Sequence, residues 1–441
     1  GQTTRAKHFW LAISKLDASG WARNLALQVV PGVPAETQRW YRLRVQAQGP
    51  HIRTWVDGVP GPAVADETYD SGCVGMAGYG EFRCRGLRVV ADQAALPLDW
   101  SPDPPQIGWF ALLPDFRGVT DRQKPHNLRR LPDGTLVLTF DDREAHYTTW
   151  SHDGGATWDE PLVLPADRVG ALHVTRDGRL WACNFVEGTF RRSESSDAGR
   201  TWGPVEEYPL TEPWPADPPL GPNFYGQGIY EAPDGTLVVF LHGALAESHE
   251  HDLFTWGSYK AQVYSIRSTD GGKTWSAPVN VDGVRKQGGQ RGVLPGCLDL
   301  IEPVASFTAD GRLLAYCRPI YSPTMWQATS YDAAQTWDAV AIGPFPGYSA
   351  GMICTSGGAL LVAHRFPNTT IHTSLDGGRS WDAGTGVDWP VWASGKFVEV
   401  APDVVLFVYR DDHIRHMRGQ FIRITEHGLE PLPRDWQQRQ E

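Results

Sequence analysis

The chain has 441 residues, enough for one large β domain with a smaller one beside it. Its formal net charge of −11 argues against a nucleic-acid or anionic-membrane surface, so any anionic ligand must be held by a local group of cations. The 47 glycines, 34 prolines and 19 tryptophans favour many short strands joined by tight turns, and no apolar run is long enough for a membrane helix.

Residues 1–98 carry strand patterns, because apolar and polar side chains alternate over 40–47 and again over 52–58. This segment resembles the late strands of a concanavalin-like jelly roll, which implies a partial or small β-sandwich. Residues 99–106 are rich in proline and predict a linker to a second domain at 107–441. Cys73 and Cys84 flank a predicted hairpin and could pair. Cys183, Cys317 and Cys354 lie at or near strand ends, where small buried residues are expected.

A repeat begins after residue 107, and its clearest mark is the motif Ser-x-Asp-x-Gly-x-Thr-Trp or a near variant. Such a segment predicts a hairpin turn in which the aspartate accepts main-chain hydrogen bonds, glycine supplies a positive φ and tryptophan packs on the neighbouring strands. These Asp boxes are expected to be structural. The copies occupy 151–158, 195–202, 268–275, 330–337 and 374–381.

Upstream of each box, two apolar strands are joined by a turn that is usually Asp-Gly, as at 131–138, 232–239 and 309–314. Two such strands, a third entering the box and a fourth leaving it make one propeller blade. Five blades carry boxes, and a sixth near 391–425 lacks one. We expect it to close the ring with a strand from about 107–113. The prediction is an all-β fold, a six-bladed β-propeller preceded by the jelly-roll segment; seven blades also fit the variable spacing.

The boxes and the fourth blade together resemble the sialidase (neuraminidase) superfamily. In bacterial sialidases a glutamate begins the inner strand of the fourth blade, an Asp-Gly turn follows, and an arginine ends the next strand. Glu302, Asp310-Gly311 and Arg318 match this pattern. Two antiparallel strands joined by a short turn bring Glu302 and Arg318 together at one end. The resemblance implies that Glu302 is the base partner of the nucleophile and that Arg318 grips a substrate carboxylate, for which the guanidinium fork is suited.

The same spacing from the start of an inner strand to the end of the second strand can be applied to the other blades without reference to the family. It places the ends of their second strands at the same end of the propeller, which is its mouth. These strands end at Asp141, near Asn184, and at His242, Arg365 and Arg410. Arginines on three consecutive blades with acids opposite predict a site for an anionic sugar, and Arg365 also lies near the place of the family's third substrate-binding arginine. Solvated strand ends, and a structural ion pair for Glu302 and Arg318, are the plainer alternatives.

The chain departs from the family at two positions. Lys124 stands where sialidases have the first substrate-binding arginine, and Ala393, next to Trp392, stands where they have the nucleophilic tyrosine. Tyr348 and Tyr409 are possible substitutes. The family's acid/base aspartate would fall in a shortened loop containing Asp141, Asp142 and Glu144. A site using Glu302 as base and an aspartate near 141 as acid is therefore one alternative to a tyrosyl intermediate.

The leading hypothesis is an exo-acting glycoside hydrolase that removes a terminal acidic sugar, sialic acid or a related ulosonic or uronic acid. One alternative is a uronate-specific lyase in which His126 works with a tyrosine, and another is a glycan-binding propeller without catalysis. A secreted or periplasmic protein is expected, monomeric or a small homo-oligomer, with no nucleic-acid partner, no cofactor and no metal. The candidate catalytic residues are Glu302, Asp141, Asp142, His126 and Tyr348. The candidate substrate-binding residues are Arg318, Arg365, Arg410, Lys124, His242, Gln227 and Trp392.

Overall fold

The computed structural model describes most of the chain apart from its ends and several connections. The described residues are 9–16, 22–34, 39–68, 85, 88, 90, 109–113, 116, 123–142, 144–186, 188–210, 225–244, 261–282, 300–319, 324–346, 351–365, 369–388, 395–410 and 417–438. Within them, no helix is long and apolar enough to cross a lipid bilayer.

The N-terminal part is a small β structure of a hairpin and a three-stranded sheet. The hairpin pairs β1 (Phe9–Leu16) with β2 (Ala22–Val30), and the sheet comprises β3 (Leu43–Gln48), β4 (His51–Val56) and β5 (Val59–Ala65). Val30, Val33 and Val56 are buried between them. The alternation at 40–47 and 52–58 thus correctly predicted β3 and β4. Cys73 and Cys84 lie outside the described residues, and the domain boundaries at 98 and 106 stay predictions.

The remaining described residues form six propeller blades, each built on four antiparallel strands. Blades 1 to 3 comprise, after β6 (Phe110–Ala111), β7 (Lys124–Arg130), β8 (Leu136–Asp141), β9 (His146–Ser151), β10 (Leu162–Val163), β11 (Ala171–Val174), β12 (Leu180–Val186), β13 (Thr189–Ser195), β14 (Glu206–Pro209), β15 (Tyr225–Glu231), β16 (Leu237–Ala244), β17 (Ala261–Ser268) and β18 (Val279–Asn280). A short 3₁₀ helix, Ala166–Arg168, joins blades 1 and 2.

Blades 4 to 6 comprise β19 (Leu300–Phe307), β20 (Leu313–Pro319), β21 (Thr324–Ser330), β22 (Ala341–Pro346), β23 (Gly351–Cys354), β24 (Leu360–His364), β25 (Thr369–Ser374), β26 (Thr385–Asp388), β27 (Lys396–Ala401), β28 (Val404–Arg410), β29 (Met417–Thr425) and β30 (Gly428–Leu432). The inner strands contact one another in the closed cycle β7, β11, β15, β19, β23, β27 and back to β7. An apolar cluster fills each of the six interfaces between neighbouring blades. The prediction of six blades is confirmed.

The ring is closed by β6, which precedes blade 1 in the chain but pairs with β29 of blade 6. Phe110 lies opposite Gly419, where an added Cβ would come within 2.7 Å of the Phe110 ring, so glycine permits the close approach. Leu112 continues the contact and is buried between blades 6 and 1. The expected closing strand near 107–113 is therefore present. On blade 5, β2 pairs with β26 and joins the N-terminal hairpin to the propeller.

The five Asp boxes form the turns that the sequence predicts. In the box at 268–275 the Ser268 hydroxyl donates to Asp270 Oδ1 at 2.8 Å, and Asp270 also accepts from the Thr274 amide at 2.9 Å and hydroxyl at 2.6 Å. Burial opposes ionisation of Asp270, yet these hydrogen bonds outweigh it and lower its pKa to about 2. The carboxylates are thus committed to holding the turns.

Candidate functional site

The mouth of the propeller is defined here as the end at which the inner strands begin and the second strands finish. Antiparallel pairing puts Lys124 opposite Asp141 in blade 1 and Tyr225 opposite His242 in blade 3. In blade 4, Ile301 pairs with Arg318. The inner strands all run in the same direction along the propeller axis. These equivalent positions therefore lie at one end of the molecule.

Glu302 and Arg318 make the contact that their spacing predicted. Arg318 Nη1 donates to Glu302 Oε2 at 2.7 Å, and the two side chains differ in exposure, at 35% for Glu302 and 5% for Arg318. A bulge in β19 between Ile301 and Val304 turns Glu302 out of the regular ladder. Glu302 has a φ of 47°, a left-handed conformation that is strained for a residue with a Cβ. The result is an accessible carboxylate beside a buried cation.

His242 lies close to this pair, at the end of the second strand of blade 3. Burial lowers the pKa of His242 to about 4, with the charge of Glu302 opposing and that of Arg318 adding to the effect. His242 is therefore a neutral imidazole at neutral pH, able to give or take a hydrogen bond. The sequence placed it at the mouth but could not indicate its protonation state.

Further cations surround the axis on blades 5, 6 and 1. Arg365 is half-buried and Arg410 is buried, while Lys124 is exposed. Lys396 begins the inner strand of blade 6, and burial lowers its pKa to about 8, with additional lowering by the charges of Arg129 and Lys124. Sequence reasoning missed Lys396 and Arg129. The position of Lys396 could have predicted its place at the mouth, because it is the first residue of its inner strand, as Lys124 is in blade 1.

The acidic candidates of blade 1 fall into two environments. Asp142 is used by its own turn, since Oδ1 accepts from the amides of Glu144 at 2.7 Å and Ala145 at 2.8 Å. Asp141 instead contacts His126, with Nε2 and Oδ1 3.1 Å apart. His146 lies beside them, its ring centroid 5.5 Å from that of His126. Asp141 and His126 thus remain available at the mouth, whereas the turn disfavours a catalytic role for Asp142.

The remaining candidates are placed only in part. Tyr348 and Trp392 lie outside the described residues, as does Ala393. Gln227 lies in β15, paired in register with Phe240.

Tyr409 is fully buried and donates to Asp388 Oδ2 at 2.7 Å, and burial and the Asp388 charge raise its pKa. Tyr409 is therefore poorly placed to act as a nucleophile, because its hydroxyl is buried, bonded to Asp388 and resistant to ionisation.

No family model and no curated protein matches the chain. Among solved structures, a protein of unknown function from Dyadobacter fermentans is 17% identical, with a TM-score of 0.54, covering 72% of this chain and 98% of that one. A mutant of the NanB sialidase from Streptococcus pneumoniae is 12% identical, with a TM-score of 0.48, covering 91% and 87%. A leech intramolecular trans-sialidase is also 12% identical, with a TM-score of 0.48, covering 100% and 91%. At these identities the likeness is one of fold alone.

The fold and the mouth together define the class, a six-bladed Asp-box β-propeller whose mouth carries a glutamate–arginine pair amid several cations.

Proposed function

We propose that the protein is an exo-acting glycoside hydrolase that removes a terminal acidic sugar, such as sialic acid or a related ulosonic or uronic acid. The observation that carries the proposal is the accessible Glu302 carboxylate held by the buried Arg318 guanidinium. A glycan partner and a location outside the cytoplasm belong to the same proposal.

The cations of the mouth would bind the substrate carboxylate. Arg318 Nη1 donates to Glu302 Oε2 at 2.7 Å, and the planar guanidinium fork is a geometry suited to carboxylates. Lys396 and Lys124 add positive charge on blades 6 and 1. Burial is the main cause of the lowered pKa of Lys396, and the charges of Arg129 and Lys124 lower it further; a bound anion would offset this charge repulsion.

Glu302 would act as the general base. The Arg318 contact holds the Glu302 carboxylate in place, and the bulge turns this partly exposed side chain out of the regular ladder. The proton donor would come from blade 1, where Asp141 and His126 lie 3.1 Å apart. An activated water attacking the anomeric carbon would then need no tyrosyl intermediate, which suits a chain with alanine at position 393.

The test is a substrate panel run on the wild-type protein and on Glu302→Gln. We expect release of a free acidic sugar by the wild type and a fall of roughly 10²- to 10⁴-fold in kcat for the variant, because the amide cannot accept the proton. Arg318→Ala should raise KM for carboxylated substrates more than for their amide analogues.

The matched control is Glu194→Gln, because Glu194 also pairs with an arginine at 2.7 Å, Arg179, away from the mouth. It should keep full activity. Full activity of Glu302→Gln would refute the catalytic assignment. An unsaturated, ultraviolet-absorbing product would indicate the lyase, with His126 as its base, and binding of the sugar without turnover would indicate a lectin-like propeller.

A further inference from the structure

Three neighbouring strands of blade 1 bring two histidines and an aspartate together at the mouth. His126 belongs to β7, Asp141 ends β8 and His146 begins β9, and Asp141 and His146 are direct cross-strand partners. A bulge in β7 between Pro125 and Asn127 places His126 out of the regular register. The cluster therefore stands on adjacent paired strands rather than on a loop.

The atoms are arranged as ligands around a common point. One nitrogen or oxygen from each of the three side chains lies within 4.8 Å of the others. Nε2 of His126 and Oδ1 of Asp141 are 3.1 Å apart, close to the edge of about 3.3 Å of a tetrahedron whose centre is a metal about 2.0 Å from each ligand.

The contact between His126 and Asp141 is not an ordinary hydrogen bond. Both atoms are shielded from water, yet their geometry does not satisfy hydrogen bonding with each other or with another described group. Buried polar atoms are normally bonded, and one left unsatisfied costs free energy. A cation bound between the two atoms would accept a lone pair from each of them.

We infer that His126, Asp141 and His146 form a binding site for a transition-metal dication of the Zn²⁺ type. Two imidazoles and one carboxylate suit Zn²⁺ and its neighbours, whereas Ca²⁺ and Mg²⁺ prefer oxygen ligands. Three protein ligands leave a coordination position for water. With a metal bound, Asp141 and His126 would act as ligands, and the metal-bound water would take their place as the proton donor of the proposed hydrolase; only that last point rests on the proposed function.

The test measures metal binding without any substrate. The full chain is stripped with a chelator, checked by elemental analysis and titrated with Co²⁺ by visible absorption and with Zn²⁺ by calorimetry. We expect one ion per chain, a Co²⁺ spectrum of low coordination number displaced by Zn²⁺, and no comparable binding of Ca²⁺ or Mg²⁺.

His146→Ala and the isosteric Asp141→Asn should each weaken Zn²⁺ binding by roughly 100-fold or more, since even outer-shell changes cost 10- to 100-fold. The control is His152→Ala, because His152 is an exposed histidine of the same blade, 3.3 Å from Asp159. It should bind as the wild type does. Absence of saturable binding, or equal loss in the control, would overturn the site. Either outcome is independent of whether the protein hydrolyses any glycan.

Discussion

At the scale of single residues, the conformation of Glu302 is the feature that most departs from regular structure. A glutamate in the left-handed region costs about 1–3 kcal/mol, and the surrounding β19–β20 hairpin and the Arg318 contact hold it there. Pro303, which follows it, cannot donate a ladder hydrogen bond, so the bulge is built into the sequence. The strain therefore coincides with the residue that the proposed reaction needs.

Under the proposed function, Lys396 would make the binding of an acidic sugar dependent on pH. Below its pKa of about 8 the side chain is charged and attracts a carboxylate, and above that value it is neutral. We expect the affinity for N-acetylneuraminic or glucuronic acid to fall by about 10-fold as the pH rises through 8, roughly the worth of one charged hydrogen bond. Binding followed by calorimetry across this range checks it.

Lys396→Arg should keep the affinity at higher pH, because guanidinium stays charged, and Lys273→Met, in an exposed Asp-box turn, should change nothing. Folding stability follows the opposite sign. The folded state lowers the pKa of Lys396, so stability is gained as the pH rises from about 8 toward the ordinary lysine value. A flat affinity profile in the wild type would contradict the role of Lys396.

At the scale of elements, the Asp-box turns differ in how much their glycines matter. Gly155 has a φ of 101° and an added Cβ would lie 2.5 Å from Leu406 Cδ2 of blade 6. Gly271 has a φ of 73° but nothing within 4 Å of its added Cβ. The fourth box holds alanines at these places, with Ala333 at 52° and Ala334 at 67°, so the turn tolerates a Cβ where there is space.

Gly155→Ala should lower the free energy of unfolding by about 2–5 kcal/mol, of which about 1–2 comes from the positive φ and about 1–3 from overpacking against Leu406. Gly271→Ala should cost only the conformational part, about 1–2 kcal/mol. Urea unfolding of the two variants tests the difference. Equal losses of stability in the two variants would show that the interface between blades 1 and 6 accommodates the added methyl group.

At the scale of the whole molecule, a buried ionic group joins blades 5 and 6. Asp388 accepts from Arg418 Nη1 at 2.5 Å and from the Tyr409 hydroxyl at 2.7 Å, and the Arg418 guanidinium lies 3.8 Å from the centre of the Trp109 ring. Gln420 donates to Tyr409 at 2.8 Å. The group links the two blades beside the closing strand.

Asp388→Ala should destabilise the protein by about 3–5 kcal/mol, because it leaves Arg418 as a buried charge without its carboxylate. Asp388→Ala combined with Arg418→Met should lose less than the first change alone. The exposed pair Arg179–Glu194 is the control, and Glu194→Ala should cost about 0–1 kcal/mol. If the double variant lost as much stability as Asp388→Ala and Arg418→Met lose together as single variants, the two residues would not act as a unit.

Local chemistry made much of this architecture predictable from the sequence. The Asp boxes depend on neighbouring residues, and the short turn between two antiparallel strands was enough to predict that Glu302 and Arg318 meet. The cluster of His126, Asp141 and His146 could not be foreseen, because its ligands come from three strands and one bulge. The full burial of Tyr409 and the partial burial of Lys396 depend on packing between blades, which a strand pattern does not reveal. The pairing of β2 with β26 likewise joins distant segments.

The pairing of β6 with β29 affects the order in which the protein folds during its synthesis. Ala111 leaves the ribosome long before its partner Arg418 is synthesised. Until then the nascent chain must keep this short segment from pairing elsewhere, while the growing row of blades has open edges at both ends. Two residues make a poor template for wrong partners, and the late arrival of blade 6 makes closure one of the last events of biosynthesis.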